Sequence, residues 1–455
     1  MGKTIILSNR LPVQLQIREG AIEAIPSVGG LATGMKSVHQ DGESLWIGWS
    51  GLTREEIPEA LEGDIDAALS THGCSKVPLS ADEVEGFYFG FSNRTIWPLY
   101  HYFLEYAEFE LSNWEVYKAV NQKFADAVLE VAKDDDVLWV HDYQLMLVPE
   151  MVRKSRPELS IGFFLHIPFP SFEIFRTLPW RAEILKGLLG SDLIGFHTYD
   201  YERHFLSSVR RILGLEVSFN EIHLETRVAK VDSFPMGIDY KKFSEAASSH
   251  ASLKEGEESD LQRRLNVHKA SKPDAKFFLS IDRLDYTKGI AKRIKAFEYF
   301  LQKYPEFREK VRLIILAVPS RSKVPQYQRL KKEIDGLVGR INGELSTVNW
   351  TPIWYFYRSL GFDNLIDLYT TCDIAWLTPI RDGMNLVAKE YIATRTDQSG
   401  VLILSEMAGS ANEMHEALLI NPNNFEQIAE SLKRAIHMPM EEQKERNAPM
   451  QKRLE

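Results

Sequence analysis

The chain has 455 residues, of which 44% are hydrophobic and 26% charged, with a net charge of −10 and a pI near 5.7. That length predicts roughly two to three domains, and two similar halves satisfy it; the acidic balance argues against a nucleic acid or an anionic membrane as partner, so any phosphate site is local. The only cysteines, Cys74 and Cys372, give neither metal-ligand spacing nor a disulfide framework, which fits a reducing, cytoplasmic setting, and no apolar run reaches the 18 residues of a membrane span.

In chain order, Lys3 to Leu7 reads as a first strand ending in Ser8-Asn9-Arg10, followed by a hairpin or flap and by Val28-Gly29-Gly30-Leu31 opening a helix through Ser37. Ser44 to Ser50 and Ser75 to Leu79 are further strand candidates. Gly86 to Tyr106 is dense in aromatics, among them Tyr88, Phe91, Trp97 and Tyr100. Such a stripe reads first as a packed helix, and otherwise as the wall of a binding site. From Asp136 short apolar runs alternate with helical segments: DVLWVHDYQ, SIGFFLHIPFPS, SDLIGFHTYD and RVAKVDSFPMGID. The texture changes after Asp239, and the alternation restarts with AKFFLSIDRLDYTKG, KVRLIILAVPSR, TPIWYFYRSL, DIAWLTPIRDGMN, GVLILSEMAGSA and EALLINPNN. Runs of this kind predict parallel strands buried on both faces. The expectation is therefore α/β: two Rossmann-like, doubly wound parallel-sheet domains, 1–240 and 241–455, facing a central cleft. Ligands belong at the carboxyl ends of such strands. The charged segment after Met438 reads as a last helix cut short at Glu455.

The chemistry-bearing residues cluster at those strand ends. In TPIRDGMNLVAKEY a strand breaks into a turn at Asp382-Gly383 and resumes as a helix, offering the N–H groups of Asn385, Leu386 and Val387 to an anion. Glu390 lies about a turn and a half further on and suits a ribose. In DRLDYTKG, Arg283 and Lys288 share one turn and either clamp a pyrophosphate or sit solvated in a surface loop; Asp285 reads equally as a cap or an ion-pair partner. Arg321 ends the next strand as another cation. In the first half, His141-Asp142-Tyr143 and His166, the latter in a rigid Pro-rich loop, close two strands. Gly29-Gly30 permits close backbone approach, or is simply a turn. No GxxxxGK[ST], HExxH, GxSxG or GxGxxG pattern supports other phosphate, zinc, serine or dinucleotide chemistry. Asp134-Asp135-Asp136 reads as a solvated turn rather than a metal site.

Taken together, SNR, GGL, LWIGWSG, VHDYQL, FFLHIPFPS, DRLDYTKG, RINGE and TPIRDGMNLVAKEY resemble the trehalose-6-phosphate synthase family of retaining glycosyltransferases, from residue 5 to about 440. The resemblance implies transfer of glucose from UDP-glucose to glucose 6-phosphate with retention, giving trehalose 6-phosphate and UDP, with no metal or cofactor. It assigns the donor phosphates to Arg283, Lys288, the backbone of Gly30 and the Asn385 to Val387 helix end, the ribose to Glu390, and hydroxyls of the donor glucose to Asp382 and His166. It assigns the acceptor phosphate to Arg10, Arg321 and Tyr88, and the acceptor sugar to Trp97, Asp142 and Trp46. Asp382, His166, Arg283 and Lys288 are the implied catalytic set. A trehalose-phosphate phosphatase, fused or separate, and a second copy of the chain are the implied partners, and the short C-terminus suggests a fragment of a longer fusion. Relatives that use glycerol 3-phosphate share the donor motifs, so Arg10 is the position expected to discriminate the acceptor.

Overall fold

The computed structural model describes residues 2–18, 21–26, 35, 39, 44–252, 259–321 and 324–455. The chain divides into two compact units, Met1–Met236 and Gly237–Glu455. The first carries β1 (Thr4–Arg10), β2 (Val13–Arg18), β3 (Ala21–Pro26), β4 (Ser44–Trp49), β5 (Cys74–Lys76), β6 (Val137–His141), β7 (Ser160–Phe164), β8 (Leu193–Phe196), β9 (Val217–Ser218), β10 (Glu221–His223) and β11 (Val228–Ser233). β2 and β3 form the expected hairpin after the first strand. The others form one sheet in the order β5-β4-β1-β6-β7-β8-β11-β10-β9. Its pairings are parallel from β5 through β11, and only β10 and β9 run antiparallel at the edge.

The second unit carries β12 (Lys276–Arg283), β13 (Val311–Val318), β14 (Ile353–Tyr357), β15 (Ile374–Leu377), β16 (Val401–Ser405) and β17 (Leu418–Ile420), all parallel, in the order β14-β13-β12-β15-β16-β17. Each run singled out from Asp136 onward contains one of these strands. Alternation explains why both faces are apolar: Leu313, Ile315 and Ala317 of β13 enter one hydrophobic cluster, and Ile314 and Leu316 enter the other. Successive side chains point to opposite faces, so a strand covered on both sides has to be apolar throughout.

The order of the strands reverses once in each unit. In the first unit the chain moves from β1 outward to β4 and β5, then returns to the other side of β1 with β6. In the second it moves from β12 to β13 and β14, then returns beside β12 with β15. At such a reversal the flanking loops diverge and leave a crevice at the carboxyl ends. Arg10 and Asp142 stand at the first reversal; Arg283, Lys288 and the loop after Leu377 stand at the second.

The aromatic segment is a packed helix, as its first reading has it, but a wide one: Val84–Ile96 is a π-helix that continues as Trp97–Tyr100. Phe87 and Phe91 are fully buried against Tyr117 of the helix Leu111–Val131. Gly86 and Gly90 allow that approach, since a Cβ at either would come within 2.9 Å of Val116 or 2.6 Å of Asn113. Residues 240–251, expected to begin a domain junction, form a helix of the second unit. The charged segment after Met438 is also helical, Met440–Leu454, and docks through buried polar groups: Asn447 Nδ2 donates to the carbonyls of Gln398, Ser399 and Gly400. The expected helix from Val28 to Ser37 falls almost wholly outside the described residues. No helix among the described residues is long and apolar enough to cross a membrane.

Gly190 packs its α-carbon onto the start of the helix Val148–Ser155, where a Cβ would lie 2.1 Å from the Glu150 nitrogen. Gly190→Ala should therefore cost about 1–3 kcal/mol by overpacking against backbone that has little room to retreat, read as a lowered urea midpoint with an unchanged slope.

Candidate active site

In the second unit β12 ends at Arg283, which is exposed, and the chain turns through a short 3-10 helix, Tyr286–Lys288. Asp285 caps that turn by accepting from the Thr287 N–H at 2.9 Å. Gly289 ends it at φ 67, where a Cβ would meet the Thr378 carbonyl at 2.8 Å. This close approach zips the β12 loop to the β15 loop: the Ile380 N–H donates to the Thr287 carbonyl at 2.8 Å. Beneath both loops lies Arg293, 1% exposed, whose guanidinium donates to Asp282 at 2.8 Å, to Thr378 Oγ1 at 2.9 Å, to the Lys288 carbonyl at 3.2 Å and to Ser280. Burial holds Asp282 above the usual carboxylate range even with Arg293 beside it.

The zipped loops bring Lys288 Nζ to 2.5 Å from Asp382 Oδ2, a pair in which both side chains are 12% exposed. Asn385 Nδ2 donates to the same oxygen at 3.1 Å. Asn385 adopts φ 82 as the N-cap of the helix Leu386–Ala393 and accepts from the Ala388 N–H through Oδ1. Asn tolerates this left-handed conformation better than most residues. The N–H groups of Leu386 and Val387 are then the helix's first donors, with no carbonyl four residues back inside the helix. Glu390 accepts from Tyr369 OH at 2.5 Å. Burial raises its pKa, opposed by that hydrogen bond and by Lys242. At the other end of the helix, Gln451 Nε2 donates to the carbonyls of Ile392 and Arg395, so the C-terminal helix anchors the site helix.

The structure thus gathers Lys288, Asp382, Asn385, Leu386 and Val387, with Glu390 on the same helix. Arg321 lies beyond the β12 loop, at φ 47 with a 4% exposed side chain, and donates to Asp285 Oδ2 at 2.8 Å and to Tyr327 OH at 2.6 Å. Any phosphate reaching Arg321 therefore shares it with Asp285. A cavity of about 710 Å3 elsewhere in this unit runs along β14, lined by Trp354, Phe356 and His268 among others, and contains none of the expected site residues.

In the first unit the Arg10 guanidinium lies 3.8 Å from the Trp49 ring centroid and 5.9 Å from that of Tyr88. Such cation–π stacking holds the planar ion by its face, and no carboxylate meets its edge among the described residues. Gly51, at φ 99, makes room: a Cβ there would lie 2.4 Å from Arg10 Nη1. Trp46 is not brought to this cluster. It is 1% exposed with its N–H donated to Ser8 Oγ at 2.7 Å, because residues three apart on a strand fall on opposite faces. Trp49, overlooked in the sequence although it belongs to the same LWIGWSG motif, is the indole on the Arg10 side. Trp97 is buried against His101 and Tyr143. Asp142, at φ 74, accepts from the His166 N–H at 3.2 Å and so joins the ends of β6 and β7. Gly30 lies outside the described residues.

His166 belongs to a cluster that its strand-end position alone did not reveal. His141, His166 and His197 close the adjacent strands β6, β7 and β8, with centroids 5.3 Å apart for the first pair and 5.5 Å for the second. His141 Nδ1 and His166 Nε2 are 3.1 Å apart. Burial pushes the His141 pKa down to about 3, and burial together with both neighbouring imidazoles holds His166 well below its ordinary value. Arg293, Tyr327 and Tyr369 were likewise invisible as site supports, since each lies in an otherwise ordinary amphipathic helix.

Arg293→Met should destabilise the protein by about 3–5 kcal/mol by stranding buried Asp282, while Arg293→Met with Asp282→Leu recovers most of the loss in chemical denaturation. His141 and His166 set a pH dependence. Their folded pKa values lie below the unfolded value near 6.5, so the unfolded chain binds more protons and the stability they contribute is present above that pH and lost below it. For His141 the loss runs from about pH 6.5 toward about 3, at about 1.4 kcal/mol per pH unit. Urea midpoints between pH 7 and 5 should show it, and His141→Asn should flatten it.

The glycosyltransferase family 20 model matches residues 2–455. The chain is 46% identical over 467 aligned residues to the bifunctional trehalose-6-phosphate synthase/phosphatase of Thermoproteus tenax, covering 99% of this chain and 61% of the relative. It is 43% identical to the alpha,alpha-trehalose-phosphate synthase [UDP-forming] of Candida albicans, covering 98% and 92%. For the Dictyostelium discoideum enzyme of the same name the shares are 98% and 59%, so the chain spans about three-fifths of two of these relatives. Among solved structures, the Burkholderia xenovorans alpha,alpha-trehalose-phosphate synthase in complex with glucose 6-phosphate superposes with a TM-score of 0.86 at 33% identity, covering 100% of this chain and 96% of that one. An E. coli structure bound with UDP-2-fluoro glucose gives 0.87 at 32%, covering 100% and 95%. The chain belongs to glycosyltransferase family 20.

Proposed function

We propose that this chain transfers glucose from UDP-glucose to glucose 6-phosphate with retention, releasing UDP and giving trehalose 6-phosphate. The observation that carries the reading is the second unit's Lys288–Asp382 pair, set beside the capped start of the helix Leu386–Ala393. In this reading Arg283, Lys288, Gly30 and the N–H groups at Asn385 to Val387 stabilise the departing diphosphate, as preorganised donors do for developing negative charge. Glu390 takes the ribose, and Asp382 and His166 take hydroxyls of the donor glucose. Asp382, paired with Lys288 and hydrogen-bonded by the Asn385 amide, is a poor nucleophile and a good hydroxyl acceptor. That favours front-face substitution, in which the leaving phosphate accepts the acceptor's proton, over the carboxylate nucleophile of retaining glycosidases. Arg10, Tyr88 and Arg321 take the acceptor phosphate, and Trp97 and Asp142 line its sugar, with Trp49 in place of the buried Trp46 as the indole that supports Arg10. No metal is required.

The relatives support the substrates, since the Candida albicans enzyme is named UDP-forming, one related structure holds glucose 6-phosphate and another a fluorinated UDP-glucose. The Thermoproteus tenax relative joins a synthase to a phosphatase, which supports a fused or separate phosphatase as consumer of the product. We read the compartment as cytoplasmic from the two buried free thiols, and a homo-oligomer as the assembly.

UDP release from UDP-glucose should depend on glucose 6-phosphate. Release only with glycerol 3-phosphate would reassign the acceptor, and donor binding without release under either condition would make the chain a regulatory subunit. Arg10→Ala should raise the acceptor KM at least tenfold with little change in the UDP-glucose KM, because a hydrogen bond to a charged group contributes roughly 1.5–3 kcal/mol. Gly51→Ala should move the same constant in the same direction, through displacement of Nη1.

A further inference from the structure

His141 is 1% exposed, yet it carries two ring nitrogens. Its imidazole lies between the Trp139 ring, 4.8 Å away by centroids, and the His166 ring, 5.3 Å away. Nδ1 faces His166 Nε2 at 3.1 Å, while His141 Nε2 is buried and finds no hydrogen-bond partner among the described residues. The contact between two neutral imidazoles needs a hydrogen on one nitrogen and a lone pair on the other. Only two arrangements satisfy it. If His166 donates from Nε2, then His141 carries its hydrogen on Nε2, where a buried N–H has no acceptor. If His141 donates from Nδ1, its Nε2 is a bare lone pair. An orphaned buried N–H is the rarer and costlier state, so the second arrangement wins.

We infer that His141 is a positioning residue that locks His166 in the Nδ1–H tautomer, so that His166 presents a hydrogen-bond donor to an oxygen of the bound sugar. The direction of the bond is set one strand away, by the nitrogen that has no partner. His166 is partly exposed, whereas His141 is sealed, so the buried ring dictates and the accessible ring acts. Asp142 holds the His166 backbone N–H at 3.2 Å and fixes the loop on which the ring turns. Both imidazoles stay neutral at working pH because burial disfavours their cations, so the ring offers one directed N–H and not a charge that would bind any oxyanion. This inference rests on the assignment of His166 to the donor glucose for its use, but not for its chemistry.

The test separates the two. Long-range 1H–15N spectra of 15N-histidine-labelled full-length protein, assigned by single substitutions, should show His166 as Nδ1–H in the resting protein. In His141→Leu the Nε2–H form should appear, and kcat/KM for UDP-glucose should fall tenfold or more while the glucose 6-phosphate KM changes less than twofold. His141→Asn places an amide N–H where Nδ1 stood and should restore the Nδ1–H signal and at least a third of kcat/KM. His166 found as Nε2–H in the unsubstituted protein, or His141→Leu and His141→Asn behaving alike, overturns the inference. Failure of the unsubstituted protein to release UDP would overturn the functional reading alone, since the tautomer is read without turnover.

Discussion

A fully buried guanidinium organises the second unit. A buried guanidinium needs acceptors for its N–H groups, and the protein surrounds Arg293 with Asp282, Ser280, Thr378 and the Lys288 carbonyl. Those partners belong to β12, to the loop that follows it and to the end of β15, elements that only the reversal in strand order brings side by side. Satisfying one buried ion therefore fixes the loop carrying Lys288 against the loop carrying Asp382. A pair of this kind is weak evidence for stability, because desolvation offsets much of the attraction. Its contribution here is geometric: with the Gly289 approach and the Ile380 to Thr287 hydrogen bond, it leaves the Lys288–Asp382 pair and the helix start little freedom to move.

The first unit handles polarity in the opposite manner. Of its strand-end histidines, His141 and His166 are stacked, held neutral by burial, and ordered by the hydrogen bond between them and by Asp142 at the His166 backbone. Its cation, Arg10, is held against an indole face. A ring surface constrains an arginine without competing for its N–H groups, whereas a carboxylate would occupy them. Arg321 shows that second case, with Asp285 and Tyr327 already in place. The two arginines expected to share one ligand are thus prepared in different ways, and among the described residues Arg10 is the one with no carboxylate on its hydrogen-bonding edge.

Much of the architecture was legible in order of residues. Ten apolar runs after Asp136 became ten parallel strands because burial on both faces demands continuous hydrophobicity, a local property of each run. The short β9–β10 ribbon was missed because strands of two and three residues carry no such signal. Asp285 was legible as a cap or an ion-pair partner, and it is both. The aromatic stripe resolved as packing for Phe87 and Phe91, while Tyr88 of the same helix turns toward Arg10.

What the residues determined alone was the inventory: two parallel α/β units, a polar residue set at each strand end, an anion-seeking helix start at Asn385 and a family pattern spread along the whole chain. The first three follow from composition, periodicity and local turn chemistry, which act over a few residues; the family pattern is a resemblance carried by the motifs. The tertiary structure decided which of two tryptophans in one motif stands beside Arg10, which carboxylate Lys288 pairs with and which histidine meets the His166 ring. Each of those depends on pleat direction, strand order or a hydrogen bond across more than twenty positions, and no spacing along the chain records it.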